Sequence, residues 1–287
     1  MLNKLKNKIL VIVIISLCFN STFTYARLYG ENNNINPWVK KIDNKLDDIS
    51  NYFVDSVVKD SLQNDEYEGL ENWEIEKIQK KKQILASLSQ VKVDSDVIFG
   101  KFYISSSSFC EPLEWIVVEK NDDDILLTTK YIIDNVVYDK KYDGVNWENS
   151  SVRKYLNEYF FEKAFSEEEK ELIVLSTVSN IANKIYGTDC GNDTMDKVYL
   201  IDFDEINKYV LTKQYSRAFG TKYAINKGLW VAHYDYLKDS SVYWLRSMGA
   251  SNNHASYLNA SGTIDAFGDP VGMDGNGIRP TIRVKIK

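Results

Sequence analysis

The chain has 287 residues, of which 44% are hydrophobic, and its formal net charge at pH 7 is -6. An acidic chain lacks the basic surface that phosphate backbones require, so nucleic acid is excluded as a partner. After the first 26 residues, no apolar run is long enough to span a bilayer.

Residues 1–26 have the pattern of a secretory signal peptide. Lys4, Lys6 and Lys8 precede a short apolar stretch, and the segment ends in Ala26. We therefore expect cleavage after Ala26 and a secreted, extracellular protein that is either released or retained at the cell surface. Cleavage removes three of the 35 basic residues and leaves 32 against 41 acidic ones, a formal net charge of -9.

The mature chain keeps two cysteines, Cys110 and Cys190. In an oxidising compartment they can form a disulfide, and two free thiols are the alternative. The chain has no C-x-x-C spacing and only two histidines, so we predict no metal site and no cofactor.

Residues 27–92 are predicted to form a helical N-terminal segment. Apolar side chains recur at steps of three and four over residues 39–57, and a second helical pattern covers residues 70–88. Two helices of this size cannot build a large core. They must therefore pack on the rest of the chain or support self-association through residues 36–90.

Residues 93–287 are predicted to form one globular domain, which begins with three strands. The strands cover residues 97–103, 113–119 and 125–129, and a polar turn at 121–124 joins the last two. A helix over residues 152–160 follows, with Asn149 or Ser150 as its cap. Ser166 and Glu169 form a capping box for a second helix. A strand at 198–201 and a short helix opened by Asp202 complete this middle part.

The C-terminal stretch, residues 242–286, is predicted to be mostly strand. Strands are expected at 242–245, 255–258 and 263–267, with glycine turns between them. Ile278, Ile282, Val284 and Ile286 occupy alternate positions, which predicts a closing strand with one buried face. Pro280 cannot donate to a ladder, so this strand lies at an edge or bulges there. The whole pattern predicts an α+β domain of short antiparallel strands with two or three helices.

Several of these segments together resemble the bacterial family catalogued as domain of unknown function 6273. The resemblance covers residues 93–287 and implies a fold rather than an activity. The arrangement of the C-terminal stretch is also similar to that of C-type-lectin-like domains, including the formylglycine-generating-enzyme type. That likeness implies a variable loop as the binding face, although the calcium-lectin motifs Glu-Pro-Asn and Trp-Asn-Asp are absent. The matching segments are 113–118, 147–150 with 153–157, 164–169, 196–200, 217 with 221–224, 243–247 and 277–280.

Five residues of these segments are assigned structural roles. We expect Arg246 and Arg279, which flank apolar strands, to tie strands together, with an anion clamp as the alternative. The five residues are Trp147, Arg153, Trp244, Arg246 and Arg279.

No catalytic motif is present, so we predict a binding protein and not an enzyme. Two clusters offer aromatic stacking and hydrogen bonds to a ligand. The alternative for the first cluster is that Trp230 and Tyr234 fill a small core. The two clusters are Trp230, His233, Tyr234 and Tyr236, and then Asn252, Asn253 and His254.

The functional prediction is a secreted, non-catalytic module that recognises a glycan or a protein at the cell surface. One alternative is a structural protein of the envelope that oligomerises through its N-terminal helices. Another is a hydrolase of wall polymers acting through a carboxylate pair, which sequence alone does not exclude.

Overall fold

The computed structural model describes residues 67, 69–141, 144–211 and 215–287. The predicted signal peptide and the predicted helix at 39–57 lie outside the described residues. Residues Asn72–Lys287 form a compact unit. Among the described helices, none combines the length and the apolar character that a bilayer crossing needs.

The helices are mostly short. The second pattern of the N-terminal segment corresponds to the 18-residue helix α1, and it belongs to the same compact unit as the strands. The helices are α1 (Asn72–Ser89), α2 (Ser151–Tyr155), α3 (Phe161–Ala164), α4 (Glu167–Leu172), α5 (Phe203–Ile206) and α6 (Lys222–Asn226).

The strands form two main sheets and two small ribbons. All of the strand pairs except one are antiparallel among the described residues. The strands are β1 (Asp96–Phe102), β2 (Glu111–Lys120), β3 (Asp124–Thr129), β4 (Asp134–Asn135), β5 (Ser176–Val178), β6 (Thr194–Asp196), β7 (Ala218–Phe219), β8 (Ser240–Ser241), β9 (Tyr243–Met248), β10 (His254–Leu258), β11 (Ile264–Pro270), β12 (Gly277–Ile278) and β13 (Thr281–Lys285).

The first sheet has the order β1-β2-β3-β13. The predicted turn between β2 and β3 forms because the Asn121 side chain accepts hydrogen bonds from the backbone N–H groups of Asp123 and Asp124. Gly100 interrupts β1 with a φ of 72°. A Cβ at this position would lie 2.6 Å from the carbonyl oxygen of Ala164, so only glycine lets the strand approach α3 this closely.

The second sheet has the order β11-β10-β9-β12-β4. The predicted closing strand is divided at Pro280, because β12 joins this sheet while β13 pairs with β3 in the first one. The alternation holds for Ile282 and Val284, which are fully buried. It fails for Arg279, which was expected on the polar face and is buried where the chain passes between the sheets.

The predicted helix caps are confirmed. Ser150 caps α2, and capping boxes open α4 and α5. The helix that follows Ser150 is not continuous, because residues Leu156–Phe160 adopt a π-helix before α3 begins. This expanded turn was not predicted from the spacing, since its apolar residues still fall on one face.

The predicted strand at 198–201 is wrong. Tyr199 makes only an isolated bridge with Thr281, and strand β6 lies earlier in the chain. The apolar run is buried all the same, and its backbone bonds go to two different strands. Tyr199 exchanges hydrogen bonds with Thr281 of β13, the carbonyl of Ile201 accepts from the backbone N–H of Arg246 in β9, and the carbonyl of Leu200 accepts from the Arg246 guanidinium. The mixed class with antiparallel strands is confirmed.

Candidate functional site

The first predicted cluster lies on an exposed segment, residues 229–237, which we call the aromatic loop. Trp230, Tyr234 and Tyr236 are 45%, 61% and 74% exposed, and His233 is exposed as well. The alternative that Trp230 and Tyr234 fill a small core is therefore wrong. The small core in this region consists of Ala232, Val242 and Ala260, and it holds the aromatic loop from beneath.

Two rings of the aromatic loop form a pair. Tyr234 and Tyr236 have ring centroids 6.0 Å apart and an angle of 27° between the rings. A 3₁₀ turn at Asp235–Leu237 sets this geometry, with the backbone N–H of Leu237 donating to the carbonyl of Tyr234 at 2.9 Å. The pair presents two nearly parallel aromatic faces that the chain itself leaves uncovered.

Trp230 lies beside a carboxylate that the sequence analysis did not identify. Its backbone N–H donates to the carbonyl of Gly275 at 2.9 Å. A methyl group on Gly275 would lie 3.6 Å from Cβ of Trp230, and one on Gly228 would lie 3.8 Å from Oδ2 of Asp274. Asp274 is exposed, so Trp230 and Asp274 both lie on the surface around Gly228 and Gly275.

The orientation of Asp274 is set by β4. Asn135 donates from Nδ2 to Asp274 Oδ1 at 2.7 Å and to the carbonyl of Lys227 at 2.8 Å. The backbone N–H of Gly275 also donates to Asp274 Oδ1, at 3.0 Å. Among the described residues, Oδ2 accepts no hydrogen bond, so one oxygen is held and the other is available to a ligand. No sequence signal marks this pair, because Asn135 and Asp274 are far apart in the chain.

The second predicted cluster forms the turn between β9 and β10. Asn253 is exposed, Asn252 and His254 are half-buried, and the His254 ring lies 2.9 Å from the Ser251 hydroxyl through Nδ1. The His254 ring also makes an edge contact with Phe267 at 5.3 Å. The cluster therefore continues onto an aromatic residue of β11.

The structure does not bring the two clusters together. The second cluster lies at the start of β10, while Ala260, which packs under the aromatic loop, follows the end of this strand. Phe267 is 55% exposed and also contacts the exposed Tyr186, with 5.9 Å between ring centroids. Tyr186 and Phe267 were not identified from the sequence, because they come from distant segments and no motif includes them.

Arg246 ties segments together, as expected. It is buried, and its guanidinium donates to Asp202 and Glu205 at 2.8 Å each. It also donates to the side chain of Asn180 and to the carbonyls of Leu200 and Ser179. Burial raises the pKa of the Asp202 carboxyl, and Arg246 opposes that effect.

The other predicted structural residues are also buried or paired. Trp147 and Arg153 both donate to the buried Asp196, at 3.0 Å and 2.8 Å. Trp244 donates from Nε1 to the carbonyl of Val136 at 3.0 Å. Arg279 donates to the carbonyl of Thr129 at 2.6 Å.

The two cysteines are free thiols, so the disulfide is not formed. Cys190 is buried and accepts a hydrogen bond from the backbone N–H of Met248 at 3.3 Å, and burial raises the pKa of its thiol. Cys110 is half-buried in the loop before β2.

A polar groove of about 960 Å³ lies over the start of α2. Its lining includes Asp139 and Asp196, which are occupied by hydrogen bonds from Ser151, Trp147 and Arg153. These carboxylates stabilise the fold and are not available to a ligand. Among the described residues, no group of three or more potential ligating side chains is placed to hold a metal ion.

No curated protein and no solved structure matches the chain. Residues 122–286 match a protein family. That match contains the aromatic loop, both predicted clusters and Asp274. Because it spans more than half of the chain, the protein belongs to the family described as Domain of unknown function (DUF6273).

Proposed function

We propose that the protein is an exported binding module that recognises a neutral glycan through the aromatic loop and Asp274. The observation that carries the proposal is the exposed indole of Trp230 beside a carboxylate with one bound and one available oxygen. Aromatic faces cover the C–H faces of sugar rings, while a fixed carboxylate accepts hydrogen bonds from sugar hydroxyls.

The tyrosine pair supports the same proposal. Single exposed aromatic side chains are common, but adjacent ones form a patch of the kind that binding sites use. Tyr234 and Tyr236 lie against each other, and their hydroxyls add hydrogen-bonding groups to the aromatic surface. Together with Trp230 they offer stacking positions for more than one sugar ring.

The charge of the chain favours a neutral ligand. The net charge is -6, and Asp235, Asp239 and Asp274 lie in or next to the site. A polyanionic glycan would be repelled by this surface. Export, predicted from residues 1–26, would bring the site to cell-surface glycans. The glycine-containing turns and the closing strands around the site also favour the C-type-lectin-like comparison.

A protein partner is the second candidate, and a different surface favours it. Tyr186 and Phe267 are exposed and in contact, and Ile185 next to them is exposed as well. Adjacent exposed apolar side chains of this kind are typical of protein–protein contacts.

The test is binding of the protein to a panel of neutral and anionic glycans, with and without calcium. Trp230→Ala and Asp274→Asn are expected to weaken a neutral-glycan interaction by about tenfold or more each, the scale for removing one anchoring group. Trp73→Ala is the matched control, because Trp73 is an exposed tryptophan on α1, at 64% against 45% for Trp230.

Two outcomes would contradict the proposal. One is a glycan interaction that Trp230→Ala leaves unchanged. The other is folded protein that binds no neutral glycan. If Phe267→Ala alone removes binding to a cell surface, the partner contacts the second surface and is a protein.

A further inference from the structure

We infer that Arg217 and Arg279 enclose a buried site for a small inorganic anion. The observation is a group of polar atoms without partners. Five buried side-chain nitrogen or oxygen atoms of the described residues have no hydrogen-bond partner, and four of them lie in one region. The four atoms are Thr129 Oγ1, Arg217 Nε, Ser241 Oγ and Arg279 Nη2.

Contacts between neighbouring groups place these atoms together. Arg279 donates from Nε to the carbonyl of Thr129 at 2.6 Å and from Nη1 to the hydroxyl of Tyr243 at 3.3 Å. Arg217 donates from Nη2 to the Ser240 hydroxyl at 3.2 Å, and Ser241 follows directly in β8. Arg279 also donates from Nη1 to the carbonyl of Tyr215 at 3.5 Å, two residues before Arg217, so the ends of β3, β8 and β9 lie near both arginines.

Two of the four atoms are guanidinium nitrogens, which can only donate hydrogen bonds, and two are hydroxyls, which can donate or accept. Among the described residues, neither guanidinium nitrogen has an acceptor. Buried polar atoms of native proteins are nearly always paired, so these unpaired donors indicate a missing acceptor.

The positive charge of the two arginines favours an anion over a water molecule as the missing acceptor. Arg279 is 1% exposed and Arg217 is half-buried, yet among the described residues neither lies within 4.0 Å of a carboxylate. Arg246 and Arg283, by contrast, each contact two carboxylates, and Arg153 contacts one. Burying a guanidinium without a counter-charge is strongly unfavourable. An anion supplies both the acceptor and the charge, whereas water supplies only the acceptor.

The site selects a compact monoanion. The unpaired atoms are buried, which leaves no open pocket for an extended ligand. Burial raises the pKa of the Tyr243 hydroxyl, so it stays protonated and adds a further donor. Chloride is the natural probe, because it accepts hydrogen bonds from all directions and fits an enclosed position. Strand β8, which contains Ser241, also pairs with the aromatic loop at Val231 and Ala232, so this buried site lies beneath the proposed glycan surface and takes a different ligand.

The test is urea unfolding of the full chain. The protein is first refolded and equilibrated in a buffer that contains either sodium gluconate or sodium chloride, at the same ionic strength. We expect a saturable rise in the urea midpoint with chloride, because a ligand that binds only the folded state stabilises it. Sulfate and phosphate are expected to raise the midpoint only in the gradual, non-saturating way of salts that are excluded from protein surfaces, and equally in the wild type and in Arg217→Gln. A bromide derivative should show anomalous density between Arg217 and Arg279.

Variants separate the site from general salt effects. Arg217→Gln is expected to abolish the chloride dependence, and Arg283→Gln, which removes an arginine with its own carboxylates, is expected to keep it. If Arg217→Gln does not fold, Ser241→Ala should show the same loss in weaker form. A wild-type midpoint that is equal in gluconate and chloride, with water and no bromide in the crystal, overturns the inference.

Discussion

Replacing Arg246 with methionine should be among the most damaging single changes in the domain. Methionine keeps the apolar stem but removes the guanidinium, which makes five hydrogen bonds in the structure. The change leaves the buried carboxylate of Asp202 without its counter-ion, and it removes the donor of the Asn180 side-chain oxygen and of two backbone carbonyls. Among the described residues, Glu205 keeps only the hydrogen bond from the backbone N–H of Asp202. Most of the destabilisation comes from these polar groups, which stay buried without a partner, and less of it from the lost contacts.

The magnitude follows from burial. Removing one partner of a buried ion pair costs about 3–5 kcal/mol. Domains of this kind have unfolding free energies of about 5–15 kcal/mol, so Arg246→Met should fold but with a small margin. At a urea m-value of about 2 kcal/mol/M, the midpoint should fall by about 1.5–2.5 M.

The assay is urea unfolding followed by tryptophan fluorescence at 25 °C. Arg283→Met is the control, because this arginine is less buried and its loss should cost less. The double variant Arg246→Met with Asp202→Asn should recover part of the loss, since the uncompensated charge is gone. A loss below about 1 kcal/mol for Arg246→Met would refute the reasoning, because water would then replace the guanidinium.

Three further predictions follow from particular residues. Gly100→Ala should destabilise the domain by about 2–3 kcal/mol, because Gly100 has a positive φ and lies against the carbonyl of Ala164. Gly187→Ala should cost about 1 kcal/mol, because Gly187 has a similar φ but open space around it. Similar urea midpoints for the two variants would contradict this prediction. Burial raises the pKa of the Glu119 carboxyl, but tyrosine, lysine and arginine hydrogen bonds lower it to about 2. The ionised Glu119 carboxylate therefore raises the free energy of unfolding at pH values above its pKa in the unfolded chain, about 4. This contribution is lost as the pH falls from about 4 to its folded-state pKa of about 2. In Glu119→Gln, the free energy of unfolding should fall less steeply between about pH 4 and pH 2 than in the wild type. An unchanged pH dependence would contradict this prediction. A thiol reagent should modify Cys110 quickly in the native protein and Cys190 only in urea; two fast thiols would contradict the burial of Cys190.

The sequence predicted much of the local structure. The caps at Ser150 and Ser166 were found because a side-chain oxygen reaches a backbone N–H only two or three residues away. The polar turn at 121–124 was found for the same reason. These interactions need no knowledge of the rest of the chain, so the residue types and their spacing are sufficient.

The sequence predicted the buried polar interactions only in part. Arg246 was expected to tie strands together, but its carboxylate partners come from a helix cap more than 40 residues earlier. The run at 198–201 was apolar enough for a strand, but it has no continuous partner, because Tyr199 pairs with Thr281 of β13 and Ile201 accepts from the backbone N–H of Arg246 in β9. Propensity measures how well a segment suits a strand, but a strand also needs a partner, which only the tertiary structure provides.

The sequence alone was sufficient for the helix caps, the hairpin of β2 and β3 and the alternation at Ile282 and Val284, because each depends on residues close together in the chain. Only the tertiary structure decided that Pro280 divides the closing strand between two sheets and that Trp230 is exposed beside Asp274. The structure also placed Arg279 against the segment of Arg217, and among the described residues neither arginine pairs with a carboxylate. The physical reason is that burial, charge pairing and ladder partners are set by contacts between distant segments, and no local pattern encodes them.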